Sequence, residues 1–127
     1  GIDKEKPAGT AIWAISAANE VMHKLNDYIN EPRKTQTQRE LAEVERSNLT
    51  DFVSDKSKQA LSEIKNLYRT DDRKTHTAAL QTALNDFVDN HSKTADKMQQ
   101  QALQSAQRDV TSFSNEINRS RGFGMGM

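Results

Sequence analysis

The chain has no cysteine. That absence excludes disulfides, thiolate catalysis and most zinc sites, and it fits either a reducing compartment or a protein exported unfolded. Proline occurs twice and glycine five times in 127 residues, and neither occurs between Pro32 and Gly122. Nothing in that stretch forces a helix to stop. Charge of one sign is missing as well: 18 basic residues cancel 18 acidic ones. No long-range field steers the chain to a polyanion, so nucleic acid is not an expected partner. Nor is there a long hydrophobic run. The richest, Ala11 to Ala18, ends at Asn19-Glu20, well short of the roughly 18 or more apolar residues of a membrane span. The start, Asp3-Lys4-Glu5-Lys6-Pro7, is polar and of mixed sign, unlike a signal peptide, and with Gly1 as a scar it reads as a chain trimmed from something longer.

Large apolar side chains are also scarce. Leu, Ile, Val and Phe number 23, a level at which many chains stay disordered. Their periodic placement and the zero net charge argue instead for a folded chain with a thin core, in need of a partner or of self-association. No alternation of β-branched residues and no internal repeat competes with helix.

The expected fold is all-α. From Thr75 to about Arg119, Leu80, Leu84, Phe87, His91, Ala95, Met98, Ala102, Ala106, Val110, Phe113 and Ile117 step by three or four residues, which predicts one uninterrupted helix. Such a rod would be roughly 65 Å long. Its mean step of about 3.7 residues predicts a straight or slightly right-handed stripe. Ahead of it, residues 1–9 read as a disordered leader, and Thr10 as the cap of a helix over about 10–30. Ala11, Ile15, Ala18, Met22, Leu25 and Ile29 give that helix a heptad seam. Pro32 ends it. A second helix over about 37–68 carries Leu41, Val44 or Glu45, Leu49, Phe52, Val53, Ala60, Leu61, Ile64, Leu67 and Tyr68, with a weak patch at Asp55 to Lys58 where a bend is expected. Residues 122–127 read as a flexible Gly/Met tail. The predicted architecture is an elongated three-helix array, a long antiparallel hairpin with the N-terminal helix folded back along it. In that arrangement the third helix overhangs the second and leaves apolar surface for another molecule.

Catalytic and metal-binding patterns are not found. Zinc or catalytic use of His23, His76 or His91 would need ligands at i,i+3 or i,i+4, but the fourth residue after His91 is Ala95 and His23 is flanked by Met22 and Lys24; nor do the carboxylates form a di-iron set or a calcium loop. No phosphate-binding glycine loop and no nucleophile elbow is present. Neither cofactor nor metal is expected, and the chain does not read as an enzyme. His91, on the core stripe, reads as a satisfied core histidine whose ring proton goes to Asp86, Asp89 or an opposing helix. Asp71 and Asp72 are placed to meet a helix N-terminus. Arg33, Lys34 and Arg39 would lie with Arg119 and Arg121 at one end of the array, and Arg69, Arg73 and Lys74 at the other, serving helix C-termini or an acidic partner. The Gln run at Gln99, Gln100, Gln101, Gln104 and Gln107 reads as solubilising surface, or as lateral amide contacts between stacked copies. Trp13, almost opposite the seam beside Ile12, is either a lid on the bundle end or an anchor for a partner. The residues expected to contact a partner are Ile12, Trp13, Met98, Phe113 and Ile117.

Leu80-Gln81, Met98, Gln101 and Phe113 to Ile117, in a C-terminal stretch rich in Gln, Ser, Thr and Asn, resemble the final helix of hydrophilic translocator and filament subunits of bacterial type III secretion systems. Tyr28-Ile29-Asn30-Glu31-Pro32-Arg33 is similar to a linker in those filament proteins. The chain departs from that pattern in its long helix between Pro32 and Leu80 and in its Gly-Met end. The resemblance implies a secreted, cysteine-free subunit that polymerises or docks through coiled-coil helices and binds a cytoplasmic chaperone before export. The functional expectation is a non-catalytic helical interaction or assembly protein, placed by the resemblance in a bacterial secretion apparatus. Its rivals are a cytoplasmic adaptor or chaperone holding one partner beside the first helix, and a membrane-active bundle inserting Ile12, Trp13, Phe123 and Met125. The compartment, secreted or cytoplasmic, is left open.

Overall fold

The computed structural model describes residue 3 and residues 5–125, with side chains as far as Arg119. The chain is helical throughout, and no strand occurs among the described residues. The described residues form four α-helices, α1 (Gly9–Asn30), α2 (Gln36–Lys65), α3 (Thr70–His91) and α4 (Lys97–Met125), with one 3₁₀ turn at Ser92–Thr94. The expected single rod from Thr75 to Arg119 is therefore two helices, and the array has four members instead of three. The stop lies in Ser92-Lys93-Thr94-Ala95-Asp96. Ala95 is extended, and Asp96 and Gln99 form a reciprocal cap, Gln99 N donating to Asp96 Oδ1 at 2.7 Å and Asp96 N to Gln99 Oε1 at 3.2 Å. Two N–H groups left orphaned by the new helix start are satisfied this way. Thr35 and Gln38 cap α2 by the same device.

The break also accounts for the stripe of mean step 3.7. On α3 the buried residues are Thr77, Leu80, Leu84, Phe87 and His91, with Ala83 beside them, and on α4 they are Gln99, Leu103, Ala106, Val110 and Ile117. Each set is a heptad seam of steps three and four. Reading across the interruption as though it were helix blended two registers into one drifting line. Met98 and Ala102 consequently fall off the seam, and Met98 is 79% exposed.

Helix α2 runs without a break through the patch expected to bend it. Its inward face is carried there by small hydroxyl residues: Thr50 Oγ1 donates to Arg46 O at 2.9 Å, and Ser57 Oγ to Val53 O at 2.8 Å. Each hydroxyl is satisfied within its own helix and so can be buried without a partner elsewhere. The apolar residues assigned to the α2 stripe at Leu41, Val44, Phe52 and Tyr68 lie instead on the outside. Helix α2 also ends earlier than expected, at Lys65, and α3 begins at Thr70 with Asp71 and Asp72 in its first turn.

Neighbouring helices in sequence are antiparallel. Ala8 and Glu63, and Asn26 and Arg46, join opposite ends of α1 and α2. Gln81 with Thr111, and Asn85 with Gln107, join α3 to α4 in the same sense. Helices α2 and α3 form a central pair, each packed on all the others, while α1 and α4 occupy opposite corners. The core between them is built from Ile15, Met22, Val53, Ile64, Leu80, Leu84, Phe87, Leu103 and Val110.

Both ends of the chain differ from expectation. The end of the expected leader is ordered: Ala8 is fully buried, with a φ of 69°, and its N–H donates to Glu63 Oε2 at 2.6 Å. Glu63 thus places a carboxylate at the N-terminus of α1. At the other end helical backbone continues through Gly122 and Gly124 to Met125, where a flexible tail was expected. The expectations for Gly1, Gly126 and Met127, and for the side chains of Arg121, Phe123 and Met125, lie outside the described residues.

Candidate functional site

Two features stand out once the helices are assembled. The first is a buried polar network at the junction of α1, α2 and α3. His91, the last residue of α3, is 1% exposed and lies against α1. Its Nε2 is 2.7 Å from Asn19 Oδ1 and its Nδ1 3.3 Å from Asn26 Nδ2, while Arg46 Nη1 on α2 donates to Asn26 Oδ1 at 2.8 Å. Arg46 has only donors, and this fixes every other assignment. Asn26 accepts through Oδ1 and donates through Nδ2, so His91 accepts at Nδ1 and donates from Nε2–H to Asn19. The ring is neutral. Burial pushes its pKa down from 6.5 to about 4, helped by the charges of His23 and Arg46 and opposed by the bond to Asn19. His23 and Phe87 pack edge-on against the ring at 4.7 and 5.1 Å. A ring this enclosed offers no approach to a substrate. The network holds three helices in register.

Asn19 rather than Asp86 or Asp89 takes the ring proton, so the expected opposing helix is α1. Gln99 differs from its expected surface role. It is 9% exposed, and besides capping α4 its Nε2 lies 2.9 to 3.0 Å from Ser47 O, Ser47 Oγ and Asp51 Oδ1 on α2. Gln107 and Gln100 also bond within the chain, to Asn85 Oδ1 and Ala95 O. Arg39 and Arg73 serve backbone carbonyls beside helix ends, donating to Glu31 O at 3.0 Å and to Leu67 O at 2.7 Å. With α4 parallel to α2, Arg119 belongs to the end of the bundle that holds Arg69 and Arg73, opposite to where it was expected.

The second feature is an open groove on the outer side of the α1–α2 hairpin. Its α1 wall is Val21, Lys24, Leu25 and Tyr28, and its α2 wall is Gln38, Leu41, Glu45, Asn48, Leu49 and Phe52. Two contiguous depressions of about 420 and 340 Å³ share Val21, Leu25 and Glu45. The groove is apolar and solvated: Val21 is 46%, Leu41 61% and Phe52 39% exposed. Asn19 and His23 turn to α3, on the opposite flank of α1, so α3 does not cover this side.

The five residues expected to meet a partner do not come together. Ile12 and Ile117 are buried, at 5% and 9% exposure. Phe113 is partly buried on the core, with Lys65 Nζ 5.5 Å from its ring centroid. Met98 projects from the first turn of α4. Trp13 is 49% exposed and lines a separate depression between α1 and α3 with Ala78, Ala79, Thr82 and Ala83. Of the groove residues, Leu25, Leu41, Leu49 and Phe52 had been read as core stripe, and Glu45 as an alternative to Val44 there, while Val21 and Tyr28 had not. Their signal was a surplus of apolar positions on α2, more than one face of a helix can hold.

Among the described residues no group of three or more His, Asp or Glu side chains is placed to hold a metal ion. No described helix is long and apolar enough to cross a membrane. The residues that resemble secretion-system subunits fall on two antiparallel helices, Leu80-Gln81 on α3 and Met98 to Ile117 on α4. Comparison with family models, curated proteins and solved structures yields no match.

Proposed function

We propose that this protein is a non-catalytic helical interaction module that works by docking a helix against the outer face of its α1–α2 hairpin. The observation that supports it is the groove walled by Val21, Leu25, Leu41 and Phe52. Val21, Leu41 and Phe52, with the partly buried Leu25, Tyr28 and Leu49, leave roughly 350 Å² in water, within the range of the largest patches on monomers, which are often functional. Two antiparallel helices with apolar residues at steps of three and four on facing walls are the geometry that receives a third helix. Assembly within a secretion apparatus is the setting we carry forward from the resemblance alone.

A bimane fluorophore on Leu41→Cys tests the reading. Leu41 is 61% exposed, so labelling leaves the core untouched. The dye is expected to shift to the blue on adding a neutral amphipathic 18-residue peptide with Leu at steps of three and four, or on raising the protein concentration. No shift in either arm overturns the proposal.

A further inference from the structure

Resting on the docking reading above, we infer that the occupant of the α1–α2 groove is a second copy of this chain, with the two hairpins face to face about a two-fold axis that runs along the groove. The register within one chain comes from the Asn26–Arg46 and Ala8–Glu63 bonds, which place Val21 level with about Asp51, Leu25 with Ser47 and Tyr28 with Val44. Rotation about an axis parallel to the groove exchanges the walls without changing helix direction or level. The α1 wall of one copy then lies on the α2 wall of the other. Val21 meets Phe52, Leu25 meets Leu49, and Tyr28 lies within a turn of Leu41. Helix α1 of one copy is antiparallel to α2 of its partner, as it is to its own, so the four helices close into an antiparallel bundle.

Charge selects this axis over the other two-fold arrangement. Lys24 and Glu45 stand on opposite walls of one stretch of groove, and neither has an ion-pair partner among the described residues. Exchange of walls brings the Lys24 of each copy to the Glu45 of the other, forming two pairs. A two-fold axis across the groove would instead lay α1 on α1. Lys24 sits near the midpoint between Val21 and Tyr28, so it would meet its own copy, and like charges in contact disfavour that arrangement. The area is sufficient for a modest dimer. The apolar groove residues of both copies, Leu25, Tyr28 and Leu49 included, give roughly 700 Å², and the rim stems bring the total near 1,000 Å², the low end of specific interfaces. An interface of that size belongs with weak, concentration-dependent association.

Sedimentation equilibrium from about 1 to 300 µM tests the arrangement. Wild type is expected to pass from monomer to dimer, Leu41→Lys to remain monomeric, and Lys24→Glu and Glu45→Lys each to weaken the dimer about tenfold. Combining K24E with E45K restores wild-type association, because the swapped charges again face each other across the axis. Circular dichroism melts of the variants unchanged from wild type show that these exposed substitutions spare the fold. A wild type monomeric at 300 µM overturns the inference, as does a double variant weaker than either single one. If the bimane at position 41 responds to the amphipathic peptide but not to protein concentration, the second copy is overturned while the docking surface stands; silence in both arms removes both.

Discussion

At the scale of single residues, His91 shows how a side chain that titrates near neutrality is kept from doing so. The end of a helix favours a cation, and His91 ends α3, yet burial outweighs that preference. Protonation would also set a new N–H at Nδ1 against the donating amide of Asn26, and a positive ring beside Arg46 and His23. The folded pKa of about 4 lies below the ordinary 6.5. Between those values the unfolded chain holds a proton that the folded chain refuses. Stability is therefore unaffected by this group above pH 6.5, falls as the pH drops from about 6.5 towards 4, and changes no further below that. The loss is at most roughly 3 kcal/mol. Urea midpoints measured between pH 7.5 and 4.5 are expected to fall less steeply in His91→Leu than in wild type, the difference being the histidine's share. Equal slopes would mean that the ring is already charged or already solvated. The sequence marked His91 as a core position, since it lies on the seam with Leu84 and Phe87. It did not disclose Asn19, Asn26 and Arg46, because amides and guanidinium groups sit on surfaces more often than inside and nothing local marks the three that meet at one ring.

At the scale of elements, the boundary between α3 and α4 is the main point on which sequence and structure differ, and capping chemistry explains it. Hydrophobic periodicity can pass through a helix break if the two halves resume with apolar residues at compatible spacing, and Ala95 supplied such a bridge. The contrary signal was Asp96 followed by Gln99, two residues able to satisfy each other's backbone amides, but Gln99 lay inside a polar run and read as solubilising decoration. Asp96→Ala is expected to lower stability by about 1 kcal/mol, and Gln99→Ala by about 1–2 kcal/mol because it also releases Ser47 and Asp51. The double substitution falls short of the sum, since both remove the same box. The register of α4 is checked by a second pair of variants: Met98→Lys within about 0.5 kcal/mol of wild type, Leu103→Ala lower by about 2–4 kcal/mol. Chemical denaturation of the five variants decides both. The seam of α1 was legible from Ala11 to Met22, whose heptad positions are all buried, but Ile12, read as off it, is buried too, and Leu25, read as on it, lines the outer groove. The α2 face was legible in part: Val53, Ala60, Leu61 and Ile64 lay on the expected stripe and are buried, whereas Thr50, Ser54 and Ser57 share that face and leave no hydrophobic trace, Thr50 and Ser57 bonding to their own helix.

At the scale of the whole molecule, the contact pattern sorts the helices by how much holds them. Helices α2 and α3 are enclosed by three neighbours each, whereas α4 leans on these two and never reaches α1 closely. Native-state hydrogen exchange is expected to show the slowest amides in α2 and α3 around Val53 and Leu84, and faster exchange along α4. Uniform protection over all four helices would contradict that ordering. The all-α class was readable from the scarcity of proline and glycine and from helical spacing; helix number and pairing were not, since they depended on one five-residue interruption.

The three connections, Glu31 to Thr35, Asn66 to Arg69 and Ser92 to Asp96, hold five, four and five residues. Each helix therefore meets its successor after closing only a small loop, and most of the search for partners takes place between stretches already adjacent along the backbone. A chain wired in this way is expected to reach its native state on a microsecond-to-millisecond clock, which temperature-jump refolding would read.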